Sequence, residues 1–500
     1  MKMFSYQHTF RRVATIATLA LAPLACNDFL DKPVQGQLLS QNFPTSAADA
    51  LGATNAVYNT LRDGSYNFGL YPIMDIMSDD AYKGSNPTDQ AATIGPYDKF
   101  QHIPTEQTNG SWWAVLYQGI KRANLVIEQV PSIQMDATLQ GRYVAEAKFL
   151  RALFYFDLVR AWGDVPIVTT VNAPSGVGRS PKADVYNLIV ADLLAAIDVL
   201  PEKSDYAAAD MGRATKGAAK ALLGKVYLFN GDPVNAEKYL LEVINSSQYD
   251  LMPVFKDANS KAGEFGAESV FEVGAIGFEG IENGGAQYGN IQGVRGTPNR
   301  GWGFNRPSLN LMDAFESGDP RKEATIIFLN EVIDDVTIVG DVGTPDETKN
   351  SDGDVVEIEC YNQKVWTPGT NVPSQFDYNR RIIRYADVLL MAAEALNANG
   401  KDVSAQEYLN KVRERARGGD DGILPDVVST GTALADAIFQ ERRVELALEG
   451  LRFWDLVRTG RAEAVLGPLG FKKGKHEYLP IPQTEIDLSQ GSLEQTDAWK

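Results

Sequence analysis

Glu441 and Glu445 stand four residues apart, a spacing that puts both carboxylates on one face of a helix. Two such acids are the minimum kit for glycoside hydrolysis, one serving as acid and the other as base or nucleophile. Arg442, Arg443 and Arg452 lie close by in sequence, and acids one turn apart among arginines read better as an ion-pair lattice stapling helices together. Asp157, Arg160 and Asp164 read the same way, as helix-end charges and a cap. Asp387 reads as a first-turn acid suited to the helix dipole. Asp352-Gly353-Asp354, with Glu357 and Glu359, offers hard oxygen ligands that could take calcium through Asp352 and Asp354. The full calcium-loop pattern is missing, so a solvated turn is the stronger reading and no metal is expected. His8, His102 and His476 are the whole histidine supply, too few for a paired-histidine zinc site and poor material for a catalytic triad. No Gly-rich phosphate loop, nucleophile elbow or Cys-x-x-Cys occurs, so the expectation is a protein without catalytic set or cofactor.

The chemistry that remains belongs to aromatic residues in irregular segments. Flat rings cover the C–H faces of sugars, while amides, acids and arginine take the hydroxyls. Tyr82, Tyr97 and Phe100 lie in residues 79–103, flanked by Lys83, Asn86, Asp89 and Gln101. Tyr288, Trp302 and Phe304 lie in residues 279–307, beside Asn290, Gln292, Arg295, Asn299 and Arg300. Trp366, with Tyr361, follows the acidic loop. The ligand-binding candidates are therefore Tyr82, Tyr97, Tyr288, Trp302, Arg300 and Trp366, with residues 288–302 as one wall of the site. Local packing is the competing reading for each ring. Trp112 and Trp113 open a helix that runs on through Leu116, Ile120 and Ile127, so at least one of them belongs to the core.

The elements that must carry these residues are mostly helical. From residue 46 to about 250 the apolar period is that of a helix. In residues 141–162, Val144, Phe149, Leu153, Phe156 and Val159 form a stripe that ends at Gly163-Asp164-Val165-Pro166. A second helical pair begins near Lys182 and runs to Leu200, ended by Pro201. Two stretches fit a tetratricopeptide-like helix pair. One has Gly224, Tyr227, Ala236 and Leu240, with Asn230-Gly231-Asp232-Pro233 as its turn. The other has Ala393, Leu396, Ala405 and Leu409, with Asn399-Gly400 as its turn. Between them, residues 251–379 rise in Gly, Pro, Asn and Asp and carry short strand-like runs at 269–273, 325–328 and 355–360. This interruption reads as a loop-rich lobe between helical scaffold segments 46–250 and 380–500, the place where a binding surface belongs.

The 500-residue chain has 44% hydrophobic and 22% charged residues, a globular balance, and a formal charge of −18. Residues 1–25 carry Lys2, Arg11 and Arg12 and no acid, so their removal takes the charge to −21. So acidic a chain repels phosphate backbones, which excludes nucleic acid as partner. Residues 13–24 form an apolar run too short to span a bilayer, followed by Cys26. This reads as an export signal, residues 1–25, with lipidation at Cys26 and a tether over residues 26–45. An ordinary secretory signal cut near Ala25 is the alternative. Cys360 then has no partner for a disulfide.

Several runs, in order, resemble the SusD/RagB-like family of outer-membrane nutrient-binding lipoproteins. They are Cys26-Asn27-Asp28-Phe29-Leu30-Asp31, then Ala145-Glu146-Ala147-Lys148-Phe149-Leu150-Arg151-Ala152 continuing to Trp162-Gly163-Asp164-Val165-Pro166. Arg213-Ala214-Thr215-Lys216-Gly217-Ala218 comes next, then Asp319-Pro320-Arg321 and Arg384-Tyr385-Ala386-Asp387. Glu441-Arg442-Arg443-Val444-Glu445, Arg452-Phe453-Trp454-Asp455 and Leu479-Pro480-Ile481-Pro482 close the series. The tail Glu494-Gln495-Thr496-Asp497-Ala498-Trp499 departs from the family's usual ending. The resemblance implies a mainly α fold with four tetratricopeptide-like helix pairs in a right-handed scaffold. It also implies a lipid-anchored protein facing the cell exterior at the outer membrane. There it would hold a nutrient, an oligo- or polysaccharide or a peptide, over a SusC-type TonB-dependent transporter, without converting it. A helix-repeat scaffold for other proteins is the alternative from a different class.

Overall fold

The computed structural model describes residues 43–71, 75–174, 176–277, 285, 287–368, 372 and 375–500. The expected signal, the Cys26 lipid site and the tether up to residue 42 lie outside the described residues. Ser46–Lys500 fold as one unit.

Helix α1 (Ala47–Asn59) starts at a reciprocal cap: the Asp49 N–H donates to Ser46 Oγ, and the Ser46 N–H to the Asp49 carboxylate. Helices α2 (Gln107–Gln129) and α3 (Ala137–Trp162) pack side by side, and α3 packs in turn on α4 (Lys182–Val199). Asp136 caps α3, and Gly163 ends it at φ +74. Asp164 does not cap α3, which ends at Gly163; it accepts the Lys182 N–H and so ties the end of α3 to the start of α4. Trp112 and Trp113 are both buried and both lie against Trp162, so both are core.

The two tetratricopeptide-like pairs form where their small residues predicted. Helices α5 (Lys216–Phe229) and α6 (Pro233–Asn245) approach so closely that a Cβ on Gly224 would sit 2.6 Å from Leu240 Cγ. Helices α7 (Tyr385–Ala398) and α8 (Asp402–Arg417) form the second pair. The array is interrupted in sequence but not in space. Helix α6 packs directly on α7, and Asn399 Nδ2 donates to Glu237 Oε2 at 2.8 Å across the seam. Helices α9 (Gly431–Glu445) and α10 (Arg452–Arg458) close this side, α9 packing on α7.

The lobe holds two-stranded antiparallel sheets among the described residues. Strand β1 (Ala81–Gly84) pairs with β3 (Phe304–Pro307), and β2 (Ser269–Val273) with β10 (Arg380–Arg384). Strand β4 (Ile326–Phe328) pairs with β9 (Cys360–Asn362), while β5 (Val332–Ile333) with β6 (Val336–Thr337) and β7 (Glu347–Lys349) with β8 (Val355–Ile358) are hairpins. The β1–β3 ladder draws residues near 80 into the lobe. Met312, Ile326 and Cys360 of the lobe share an apolar core with Val444, Ala447 and Leu448 beside α9. No described helix is long and apolar enough to cross a membrane.

Candidate functional site

The conspicuous acids and arginines of the sequence meet inside the protein. Glu445 is fully buried and pairs with Arg415, with Arg384 at 3.2 Å and with Arg321 at 3.2 Å. Glu441 pairs with Arg321 and with Arg413 at 2.8 Å. Arg384 also holds Glu268 and Glu449, and Glu449 takes Lys364 at 2.7 Å. Asp387 lies between Lys225 at 3.0 Å and Arg442 at 2.8 Å, and Arg442 continues to Asp455 at 3.0 Å. Burial pushes the Glu445 carboxyl up, but Arg415, Arg384 and Arg321 outweigh it and hold it at about 2. Glu449, partly buried, is held at about 2 by Arg384 and Lys364 against the desolvation that raises it. Glu441 and Glu445 are thus held against arginines in the interior and do not face an open cleft. The pairing is wider than a staple between two helices: one set joins α8 and α9 to the lobe through Glu268, Arg321 and Lys364, and a second joins α5, α7, α9 and α10 through Asp387 and Arg442.

A different surface lies where the lobe loops meet the start of α2. A cleft of about 370 Å³ is lined by Gly64, Ser65, Gln90, Thr93, Gln107, Thr108, Ser111 and Gln287. Its described lining carries hydroxyls and amides and no ionisable side chain, the chemistry of a neutral, hydroxyl-rich ligand. Gln287 opens a short helix, Gln287–Gln292, that packs on the Gly64–Tyr71 helix. Three residues along it, roughly 4.5 Å of helix axis, the Asn290 carbonyl accepts the Trp302 N–H at 2.9 Å. Trp302 is partly exposed and precedes Gly303, whose φ of +73 suits glycine and where a Cβ would lie 3.1 Å from Tyr361 Cε1. Arg295 braces the same corner, with Nε donating to Asp341 at 2.8 Å and Nη1 2.7 Å from the Asp89 carboxylate. Lys83 Nζ donates to the carbonyls of Gly84, Asn86 and Asp89, which shapes the loop opposite.

Comparison with known proteins agrees with this architecture. Residues 267–499 match the SusD family model, and residues 53–228 match a model described as starch-binding, associating with the outer membrane. A solved laminarin-binding SusD-like protein is 32% identical, with 91% of this chain and 100% of that one covered and a TM-score of 0.76. The chain belongs to the SusD family. Surface glycan-binding protein A from Bacteroides thetaiotaomicron, solved in complex with laminarihexaose, is 27% identical over 90% of this chain and 99% of that one, with a TM-score of 0.74. SusD-like protein P2 from Formosa agariphila is 29% identical over 94% of this chain and 96% of the relative. The mainly α fold is the SusD fold.

In this SusD-family chain the residues singled out from sequence part company. Trp302, Arg300 and Trp366 are partly exposed in the lobe. Trp366 lies against the buried cluster of Val294, Ile327, Ile338 and Tyr361, and its indole N–H donates to Asp334 at 2.8 Å. Tyr82 is partly exposed on β1, its hydroxyl donating to the Val356 carbonyl at 2.9 Å. Tyr97 and Tyr288 do not present a face to solvent. Tyr97 is 0% exposed and stacks on His102 at 4.8 Å. Tyr288 is 6% exposed, packs with Val365, Phe376 and Tyr378, and carries Arg380 over its ring at 4.8 Å. Both rings are packing residues here, so the surface is left to Trp302, Arg300, Trp366 and Tyr82. Asp352 and Asp354 close a turn on Asn350, whose Oδ1 accepts both of their N–H groups at 2.9 Å. Among the described residues no three His, Cys, Asp or Glu side chains converge as a metal site. The cleft residues Gln90, Thr93, Gln107, Ser111 and Gln287 were not singled out. The signal that points to them is uncharged polar residues beside the loop aromatics and on the first turns of α2.

Proposed function

We propose that this protein captures a glycan at the lobe and passes it, chemically unchanged, to a SusC-type TonB-dependent transporter at the outer membrane, held there by a lipid on Cys26. The cleft without ionisable lining, one short helix from the partly exposed Trp302, carries the reading. It supplies hydroxyl and amide partners, and Trp302 sits on the loop hydrogen-bonded to the helix that Gln287 opens; polar groups of this kind with an aromatic ring are the combination that suits sugar rings. The similarity to proteins described as binding laminarin and laminarihexaose makes those the first ligands to test. The burial of Glu441 and Glu445 among arginines supports binding without turnover. Calorimetry of the full chain with laminarihexaose, and with hexasaccharide and peptide panels, tests it. Trp302→Ala is expected to weaken binding tenfold or more, about 1.4 kcal/mol, with thermal unfolding unchanged. Equal affinity of wild type and variant, or binding confined to peptides, would overturn the assignment.

A further inference from the structure

A second cleft, of about 560 Å³, opens on the outer side of α1. One wall is polar: Asn55 and Asn59 stand one turn apart on α1, and Arg62 follows in the 3-10 turn Thr60–Arg62. The facing wall is mostly apolar, made by Met211, Phe265 and Val273 with Glu272 among them. Both walls are braced. Arg213 donates from Nη2 to Asn55 Oδ1 at 2.9 Å and is itself anchored on Glu146 and Asp210, each at 2.8 Å, so the Asn55 amide is oriented. Phe265 sits against Gly212, where φ is +92 and a Cβ would come within 2.8 Å of the ring. Behind that ring lies a smaller cavity of about 200 Å³, sharing Met211, Arg213 and Phe265 with the cleft and reaching Tyr206 and Phe271.

This cleft and the lobe cleft are neighbours. Arg62 lines one, and Gly64 and Ser65 line the other, so only the Asp63 position separates them along the chain. Amides and a guanidinium facing a ring and a thioether are again the means of holding a pyranose, by its edge hydroxyls and its apolar face. We infer that the α1 cleft is an extension of the glycan-binding surface, taking further sugar units of a chain whose first units occupy the lobe cleft. The inference rests on the glycan reading above. It makes the protein a selector for chain length: short oligosaccharides fill the lobe cleft alone, and long chains gain from both.

The test compares laminaritriose with laminarin on the full chain, by calorimetry. Asn59→Ala with Phe265→Ala removes one group from each wall. Gly52→Leu instead fills the cleft from α1, where an added Cβ meets nothing within 4 Å and helix propensity rises. Both variants are expected to leave triose affinity unchanged and to weaken laminarin by about tenfold or more. Trp302→Ala is expected to weaken both ligands. Unchanged laminarin binding in the α1-cleft variants overturns the extension while leaving the lobe reading intact. Binding that ignores Trp302→Ala and Gln287→Ala but disappears with the α1-cleft variants overturns the lobe reading and the extension together, because the α1 cleft would then be a site in its own right. Wild type that binds neither ligand also overturns both.

Discussion

The junction between the lobe and the helices and the cleft beside Trp302 use opposite chemistry for opposite ends. At the junction Glu441 and Glu445 are buried, and with the partly buried Glu449 they have arginine or lysine on several sides. In the cleft the described lining is glutamine, threonine, serine and glycine, open to water. A buried charge must be matched or the fold does not hold, so the junction tolerates little change. A hydroxyl or amide at a wet rim is satisfied by water until a ligand replaces that water, so the cleft can change partners at low cost. In these two regions, buried matched charge holds the chain together, while the cleft lining carries no ionisable side chain among the described residues.

The largest expected effect tests the first half of that contrast. Glu445→Gln leaves Arg384, Arg415 and Arg321 without their shared carboxylate and is expected to destabilise by about 3–5 kcal/mol, read by chemical denaturation. An unchanged midpoint would mean that the lattice is dispensable. Acid provides the same test without mutation. Glu445 and Glu449 have folded values near 2, below their ordinary 4.5, so the stability they contribute is present above pH 4.5 and is lost as pH falls toward 2. Asp75 has the opposite sign. Burial raises it to about 7 against hydrogen bonds from Asn305 and Gly450, so its carboxyl costs stability as pH rises from 3.8 through about 7. Denaturation followed from pH 2 to 8 is expected to fall away steeply at the acid end and gently at the neutral end. A flat profile at the acid end would contradict the lattice.

Smaller effects test the second half. Gln287→Ala is expected to weaken glycan binding a few-fold, about 0.5–1.5 kcal/mol for one hydrogen-bonding side chain, with the same Tm as wild type. A fall in Tm equal to that of Glu445→Gln would erase the distinction between the two regions. Tyr82→Phe removes only the hydroxyl bonded to the Val356 carbonyl. It is expected to cost about 1 kcal/mol or less in stability and to leave affinity unchanged, and a change in affinity would bring Tyr82 into the site.

Much of the scaffold was legible because helical signals are local. Asn230-Gly231-Asp232-Pro233 and Asn399-Gly400 are turns by their own chemistry, and Gly224 and Ala393 are small because a neighbouring helix comes close. The strand run at 269–273 was legible from Val270, Phe271 and Val273, while β1, Ala81-Tyr82-Lys83-Gly84, carries no such run of β-forming residues. The candidate cleft was legible only as loops. Gln90 and Thr93 come from residues 79–103 and Gln287 from the later segment, but nothing local tells that Tyr97 and Tyr288 turn inward while Trp302 does not.

From the sequence alone came the helical period, the turn residues, the reading of Glu441 and Glu445 as ion-paired, and the family likeness, since each rests on spacings of a few residues or on runs in fixed order. Only the tertiary structure decided that α6 stacks on α7, that one carboxylate serves arginines at 321, 384 and 415, and that Gln90, Gln107 and Gln287 share a cleft. These meetings join positions far apart in the chain, and they are chosen by what packing and the matching of buried charge allow.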